Sequence, residues 1–210
     1  MLKRIGILSG GGDCPGINAV IRAVVLDATA RGTEVVGVLD GFLGLIQDRT
    51  RMLDRTEAGA ILCVGGSVLG CSNKSNPARF ACERDAAGVP VFRDVRDQCW
   101  ATIARHNLEA MVVIGGDGTM GCAQDLFAAP GSPRINCVGI PKTIDNDLRG
   151  TEISFGFLTA VETATQAIDR VQTTAASHHR AIVVEVMGRH AGWIGLFAGI
   201  ASGSHLILIP

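Results

Sequence analysis

The stretch "AMVVIGGDGTM", residues 110–120, joins an apolar run to a glycine-rich segment. Its first five residues are all apolar instead of alternating with polar ones, which is typical of a strand covered on both faces of a sheet. Two glycines, an aspartate and a third glycine follow directly, and such residues favour a tight turn. The stretch therefore predicts a strand, a turn and a helix in direct succession.

Five further apolar runs resemble the first in length and in their valine and isoleucine content. They are "RIGIL" at 4–8, "EVVGVL" at 34–39, "INCVGI" at 135–140, "AIVVEV" at 181–186 and "LILI" at 206–209. Helical patterns lie between them, and the clearest runs from Phe157 to Ala175, with apolar residues three and four positions apart. This alternation predicts an α/β fold with a doubly wound, mainly parallel sheet.

Composition limits the classes of function. The 210 residues suffice for one large domain, or for a domain and part of a second. Because 19 basic residues face 20 acidic ones, no charge surplus favours nucleic acid or an anionic membrane as a partner. The N-terminal apolar run is too short for a signal peptide, and later runs are shorter than the roughly 20 residues that span a bilayer. We expect a cytoplasmic, soluble protein.

The cysteines give no sign of a disulfide framework or of a zinc site. Their number, seven, is odd, and no two of them form a CxxC pair. Buried thiols in a reducing compartment are the better interpretation.

Glycine-rich or acidic loops follow four apolar segments. They are "SGGGDCPGIN" at 9–18, "GGSVLGCSNKSNP" at 65–77 after "AILCV", "GGDGTM" at 115–120 and "GIPKTIDNDL" at 139–148. The carboxyl ends of parallel strands meet at one sheet edge, so we expect these loops to form one cleft. Glycines let phosphate oxygens approach backbone N–H groups, and three of the loops should each lead into a helix N-terminus that favours negative charge. A polyphosphate ligand is predicted.

Other interpretations of the loops remain. A single glycine pair after a strand commonly serves only as a turn. The P-loop pattern GxxxxGK[ST] is absent from the sequence, which excludes that site. The dinucleotide fingerprint fits poorly because Pro15 takes the place of its third glycine, although Asp40 stands where a ribose-binding acid would. A dehydrogenase therefore stays open as an alternative.

Three aspartates in these loops are candidates for chemistry. Asp117 can hold Mg²⁺ against phosphate oxygens, or it can cap a helix that begins near Thr119. Asp145 and Asp147 have the composition of a solvated loop, but beside a phosphate cleft they fit a catalytic base and its supporting acid.

The motifs together carry a resemblance to a known family. "GGGDCPGIN", "GGSVLG", "GGDGT", "PKTIDND" and "MGRHAGW" occur here in the order seen in the 6-phosphofructokinases, across residues 1–210. "PKTIDND" and "MGRHAGW" are highly specific, whereas "GGDGT" also resembles NAD kinases and diacylglycerol kinases. The resemblance implies a phosphofructokinase-like fold and the glycolytic conversion of fructose 6-phosphate to fructose 1,6-bisphosphate with ATP and Mg²⁺.

The resemblance also implies roles for individual residues. Asp145 would be the general base for the sugar 1-hydroxyl, with Thr143 nearby and Asp147 supporting it. Asp117 would bind Mg²⁺. The residues expected at the phosphoryl donor are Gly12, Asn73, Lys74, Gly116, Asp117, Gly118 and Thr119. The residues expected at the sugar phosphate are Thr143, Ile144, Asp145, Arg180, Met187, Gly188 and Arg189.

The choice of donor rests on two residues with opposite implications. Pyrophosphate-using relatives carry an aspartate where this chain has Gly118, so Gly118 favours ATP. They also carry the lysine found here as Lys142, so a pyrophosphate-dependent enzyme is the alternative. Asn73 and Lys74 stand where ATP enzymes have a phosphate-bridging arginine. Arg22 matches one arginine of the family's allosteric nucleotide site, but the positions of two other arginines of that site hold Leu26 and Gln172. Regulation through this site is therefore not carried over.

The resemblance implies a division into a nucleotide-binding domain, residues 1–150, and the start of a sugar-phosphate-binding domain, residues 151–210. We expect the chain to be the N-terminal portion of a longer enzyme, with the second domain incomplete. Alone it would be poorly soluble, and an inactive nucleotide-binding fragment is the alternative to an enzyme. Arg180 is expected to serve a neighbouring subunit, which implies a homo-oligomer, a dimer or a tetramer, when intact.

Overall fold

The computed structural model describes residues 2–210 and divides the chain into two compact units, Met1–Pro141 and Lys142–Pro210. The strands are β1 (Arg4–Ser9), β2 (Glu34–Val38), β3 (Thr50–Leu53), β4 (Phe80–Arg84), β5 (Pro90–Arg93), β6 (Ala110–Gly115), β7 (Asn136–Thr143) and β8 (Phe155–Gly156). The helices are α1 (Ile17–Ala30), α2 (Phe42–Gln47), α3 (Arg55–Ala60), α4 (Arg96–Arg105), α5 (Asp117–Phe127), α6 (Phe157–Ser177) and α7 (Trp193–Ala201). The predicted functional domains, residues 1–150 and 151–210, stay a prediction.

The sheet of the first unit has the strand order β3-β2-β1-β6-β7. β1 runs parallel to β2 and β6, so that Ile7 lies between Gly37 and Val112, and β6 runs parallel to β7. β3 is antiparallel to β2 and forms an edge of the sheet. The chain leaves β1 for β2 on one side and later adds β6 on the other. The order therefore reverses between β1 and β6, and such switch points are where open α/β sheets bind ligands.

The core of the first unit confirms that β1, β2 and β6 are covered on both faces, whereas β7 is largely exposed, with Val138 57% exposed, so this prediction is wrong for β7. In β1 every residue from Ile5 to Ser9 is buried. Leu8, Leu45, Cys99 and Met111 belong to one buried cluster, which joins the sheet to α2 and α4. Four of the six predicted strands are thus confirmed as β1, β2, β6 and β7, and the predicted helix from Phe157 is confirmed as α6.

Two predicted strands are wrong. Residues 181–186 and 206–209 form no strand, and Val183 is 91% exposed. Within residues 2–210, no other segment pairs with either run, and a strand exists only where a neighbour completes its hydrogen-bond ladder.

The loop at 65–77 also departs from the prediction. It follows α3 and a turn instead of a strand, because "AILCV" is split between the end of α3 and that turn. It leads into a short 3-10 turn, Pro77–Arg79, and then into the β4–β5 hairpin instead of into an α-helix.

The second unit contains the last residues of β7, then β8, α6 and α7. Lys142 and Thr143 pair in parallel with Phe155 and Gly156 of β8. Helices α6 and α7 pack together, with Phe157 and Phe197 edge to face at 5.4 Å between ring centroids.

Two expectations concern residues spread along the chain. No disulfide joins the seven cysteines, all of which lie within residues 2–210, but only Cys14 and Cys99 are buried, so the prediction of burial is wrong for the others. In the same described range, no helix combines the length and the apolar character needed to cross a membrane.

Candidate functional site

The glycine loop after β1 lies at the switch point of the sheet. Its first amide, Gly10 N, donates to Ile114 O of β6 at 2.9 Å. The next amide, Gly11 N, donates to Ser72 O at 3.1 Å, which joins the loop to the 65–77 loop. Gly16 has φ of 91° and ends the loop where α1 begins, a conformation that glycine adopts without strain.

These two loops line an open cavity of about 390 Å³, within the size range of small-molecule sites. Its lining residues are Gly11, Gly12, Asp13, Ser67, Cys71 and Asn73. Two predicted donor residues, Gly12 and Asn73, therefore lie in one cavity, whereas Lys74 is exposed and does not line it. A Cβ atom at Gly12 would meet no atom within 4 Å, so the space beside this backbone is open to a ligand.

The third loop begins α5. Gly116 is the N-cap residue and Asp117 the first residue of the helix, and no side chain caps this end. The predicted capping role of Asp117 is therefore wrong, because the helix begins at Asp117 itself and not near Thr119. An aspartate in the first helical turn still adds a favourable negative charge beside the helix dipole.

Asp117 places a single carboxylate at the first residue of α5. Among the residues that the structure describes, no group of three or more His, Cys, Asp or Glu side chains could hold a metal ion. Mg²⁺ is commonly held by one or two carboxylates together with substrate phosphates and water. A single carboxylate such as that of Asp117 fits the protein's share of this arrangement.

Thr119 packs against the ends of β1 and β6. It is buried, and a Cβ on Gly10 would lie 2.7 Å from its Cγ2, while one on Gly115 would lie 2.3 Å from its Cβ. Glycine at both positions therefore lets α5 approach the switch point. Gly118, one residue earlier, has nothing within 4 Å of an added Cβ, so its side of the helix end is open.

In the second unit, the turn after β7 groups the predicted catalytic residues. Thr143 Oγ1 donates to Asp147 Oδ1 at 3.1 Å and accepts from Asp145 N at 3.1 Å. Asn146 has φ of 50°, a left-handed conformation that asparagine tolerates better than most residues. The structure thus brings Thr143, Asp145 and Asp147 into one hydrogen-bonded turn.

A serine that sequence analysis did not identify holds this turn from behind. Ser154, only 2% exposed, donates from Oγ to Thr143 O at 2.7 Å, and its backbone N donates to Asn146 Oδ1 at 2.9 Å. Asn146 Nδ2 also donates to Glu152 O at 3.1 Å. No local pattern marks Ser154, since its partners lie eight and eleven residues earlier in the chain.

The electrostatics of the turn favour a proton acceptor. The pKa of Asp145 is raised above its ordinary value, first by burial and then by the negative charge of Asp147. The positive charge of Arg189 opposes this rise, which means that Arg189 acts on Asp145 within the same unit. A carboxyl group with a raised pKa is a stronger base than an exposed one once it is ionised.

The other predicted residues of the second unit differ in exposure. Met187 and Arg180 are exposed, and Gly188 has φ of 143°. Ile144 is half-buried beside Asp145. Lys142 is only 4% exposed, so its ammonium group is not presented to solvent. The expectation of a single cleft that contains all these residues stays a prediction.

Comparison with known proteins identifies relatives over the whole chain. The family profile described as Phosphofructokinase matches residues 4–210. The chain is 49% identical to ATP-dependent 6-phosphofructokinase 2 of Clostridium perfringens and 48% identical to pyrophosphate--fructose 6-phosphate 1-phosphotransferase of Amycolatopsis methanolica. These matches cover 100% and 99% of this chain but only 56% of each relative, so the chain spans about half of their length.

A solved structure agrees with these matches. Phosphofructokinase of Pichia pastoris in the T-state superposes with a TM-score of 0.80 at 33% identity, over 97% of this chain and 22% of that one.

Proposed function

Because the chain belongs to the phosphofructokinase family, we propose that the whole protein transfers a phosphoryl group to the 1-hydroxyl of fructose 6-phosphate, as a glycolytic kinase. The observation that carries this proposal is the turn after β7. There a half-buried carboxyl group with a raised pKa lies at the end of a sheet strand, with Asp147 and Arg189 acting on it. A solvated loop would leave such a carboxyl group at its ordinary pKa.

In the proposed reaction Asp145 is the general base. The 1-hydroxyl oxygen attacks the terminal phosphorus of the donor, the new O–P bond forms, and the bond from phosphorus to the leaving phosphate oxygen breaks. The hydroxyl proton passes to Asp145. Thr143 fixes the backbone amide of Asp145 and orients Asp147, so the base is held in position before substrate arrives.

Residues of the first unit are proposed to hold the donor. Gly12 and Asn73 line the cavity, and the backbone at Gly116 to Thr119 lies at the N-terminal end of α5. Amides at such an end bind phosphate oxygens. Asp117 would hold Mg²⁺, which when bound neutralises charge on the phosphates. The open space at Gly118 supports ATP as the donor, since a side chain there would crowd a nucleotide.

Pyrophosphate is the second candidate donor. A relative at 48% identity is named a pyrophosphate--fructose 6-phosphate 1-phosphotransferase, and Lys142 matches the lysine of such enzymes. Lys142 is nearly completely covered, however, whereas the space at Gly118 is open, so we favour ATP.

Purified full-length protein tests both statements. Formation of fructose 1,6-bisphosphate is measured with Mg²⁺ and either ATP or pyrophosphate as the donor. We expect fructose 1,6-bisphosphate to form when Mg²⁺ and ATP are both present, and to form at a much lower rate when pyrophosphate replaces ATP. A preference for pyrophosphate would reverse the choice of donor, and no product with either donor would overturn the proposed function.

We also propose that the whole protein is a homo-oligomer. Arg180 follows the end of α6, and its side chain is exposed in the single chain, as a residue that serves a neighbouring subunit requires. Sedimentation of the full-length protein under assay conditions tests this, and an active monomer would contradict it.

A further inference from the structure

A buried asparagine outside the proposed reaction centre fastens one wall of the donor cavity. Asn18 lies in the first turn of α1, and only 4% of it is exposed. Its Nδ2 donates to Val64 O at 2.8 Å and to Gly66 O at 2.6 Å, and its Oδ1 accepts from Val68 N at 3.0 Å. One side chain thus fixes three backbone groups within five residues.

The bonds of Asn18 reach a part of the chain that has no regular structure. Residues 64–73 lie in neither helix nor strand, so no ladder satisfies their backbone groups. Two neighbouring positions are also held from outside the loop. The side-chain Oδ1 of Asp13 accepts from Ser67 N at 3.2 Å, and the backbone N of Asp40 donates to Leu69 O at 2.7 Å. Side chains and turns outside the loop therefore determine its position.

The loop held in this way carries half of the cavity lining. Ser67, Cys71 and Asn73 lie on it, opposite Gly11 and Gly12 of the glycine loop. Asn18 itself does not line the cavity, so any influence on a ligand must pass through the loop.

Only an amide satisfies all three groups. The two carbonyl oxygens need a donor, and the amide of Val68 needs an acceptor, which an asparagine side chain supplies together. An aspartate of the same size would turn a carboxylate oxygen towards two carbonyl oxygens. An alanine would leave three buried backbone groups without their partner, which is destabilising.

We propose that Asn18 is a positioning residue of the donor cavity. Its side chain holds residues 64–68 in place, so that the cavity keeps the width that the donor phosphates require. The identity of the ligand as a phosphoryl donor rests on the proposed function, whereas the statement that Asn18 fixes the loop is independent of it.

The test compares three variants of the full-length protein with the unchanged protein. Asn18→Ala removes all three bonds, and Asn18→Asp keeps the size but loses the donor. Thr33→Val is the control, since Thr33 is also buried in the first unit and its Oγ1 donates to Leu2 O at 2.7 Å, but it precedes β2 at the other end of the sheet. All three should lower the melting temperature.

The readouts separate positioning from stability. Both Asn18 variants should raise the KM for the donor by about tenfold, which corresponds to about 1.4 kcal/mol of binding, while leaving the KM for fructose 6-phosphate unchanged. A peptide covering residues 64–70 should exchange its amide hydrogens faster in both. Thr33→Val should alter neither.

The contrary outcomes are equally specific. A donor KM that remains within about twofold of the unchanged protein in both Asn18 variants would overturn the proposal, as would an equal rise in Thr33→Val. If neither Asn18 variant folds, exchange in the unchanged protein decides: slow exchange of peptide 64–70 supports the role, and the rate of an unstructured loop refutes it.

Failure of the proposed function can be recognised separately. If the unchanged protein phosphorylates no fructose 6-phosphate with ATP or pyrophosphate, the reaction assignment fails. Calorimetric titration of Mg-ATP and of pyrophosphate into the same proteins then tests the cavity alone. Weaker binding by both Asn18 variants supports the positioning role, and equal binding or no binding at all overturns it.

Discussion

The donor cavity and the Asp145 turn differ in how far they depend on close contact between backbone segments. The glycine loop and the 65–77 loop approach each other through backbone bonds, and the cavity wall at Gly12 has no side chain. The turn after β7 is instead a network of side chains, in which Ser154 Oγ donates to Thr143 O and Thr143 Oγ1 donates to Asp147 Oδ1. Both regions use buried polar side chains, Asn18 in the first and Ser154 in the second, but the donor region also needs glycines where a side chain would meet neighbouring atoms.

The two regions should therefore be sensitive to different substitutions. Adding a methyl group should harm the donor region, because close backbone approach requires glycine. Removing a polar atom should harm the Asp145 turn, because buried groups would lose their partners. The predictions below test this contrast in the full-length protein.

Among substitutions in the Asp145 turn, Asp145→Asn should have the largest effect on turnover. An amide cannot accept the hydroxyl proton, so turnover should fall by about 10²- to 10⁴-fold, the usual contribution of a general base. Binding of Mg-ATP, measured by calorimetry, should not change. Asp147→Asn is the matched comparison and should lose less, because Asp147 is bonded to Thr143 instead of to the reacting hydroxyl in the proposed mechanism. A greater loss in Asp147→Asn would exchange the two roles.

Gly70→Ala should break the donor region by adding one carbon. Gly70 has φ of 71°, and an added Cβ would lie 2.1 Å from Asp40 Oδ1, whose carboxylate pairs with Arg49. The left-handed conformation alone should lower the free energy of unfolding by about 1–2 kcal/mol. Gly59→Ala is the control, because Gly59 lies in α3 with open space around it, and alanine favours a helix. Denaturant unfolding measures both, and equal stability of the two variants would contradict the contrast.

Ser154→Ala should weaken the Asp145 turn by removing one oxygen. Thr143 O would lose its buried donor, which should lower the free energy of unfolding by about 1–3 kcal/mol and reduce kcat without raising the donor KM. Ser177→Ala provides the control, since Ser177 is exposed at the end of α6. A Ser154→Ala enzyme with unchanged kcat would show that the turn keeps its geometry without this bond.

The smallest expected effect is a shift in pH dependence. Since burial and Asp147 raise the pKa of Asp145, the acid limb of kcat/KM should lie at higher pH than an ordinary aspartate would give. Asp147→Asn removes the second cause and should move that limb to lower pH. A limb that stays in place would mean that Asp147 does not act on the base.

The same raised pKa has a consequence for stability with a defined sign. The folded state favours the protonated form of Asp145. The contribution of this protonation to the free energy of unfolding is therefore full below the pKa of the unfolded state, and it is lost as pH rises through the pKa of the folded state. The melting temperature of Asp145→Asn, measured relative to that of the unchanged protein, should therefore increase as pH rises through this window.

The sequence was sufficient for the central strands and for placing Thr143, Asp145 and Asp147 in one turn, and the roles of these residues stay a prediction. Continuous apolar runs predicted β1 and β6 because a strand covered on both faces leaves that pattern. The runs at 181–186 and 206–209 have the same pattern without a ladder, because apolar composition does not reveal whether a neighbouring strand exists. Asn18 and Ser154 could not be predicted for a related reason. The partners of Asn18 lie 46 to 50 residues away in the chain, so only the folded structure brings them together.

The edge strand β3 has a consequence for the behaviour of separate molecules in concentrated solution. An exposed strand edge offers unpaired N–H and C=O groups on which another chain can assemble. β3 is only four residues long, and its Arg51 pairs with Glu57 and donates to Val68 O at 3.2 Å. A short edge that carries a charge leaves little template for a foreign strand, so this side of the sheet resists edge-to-edge aggregation.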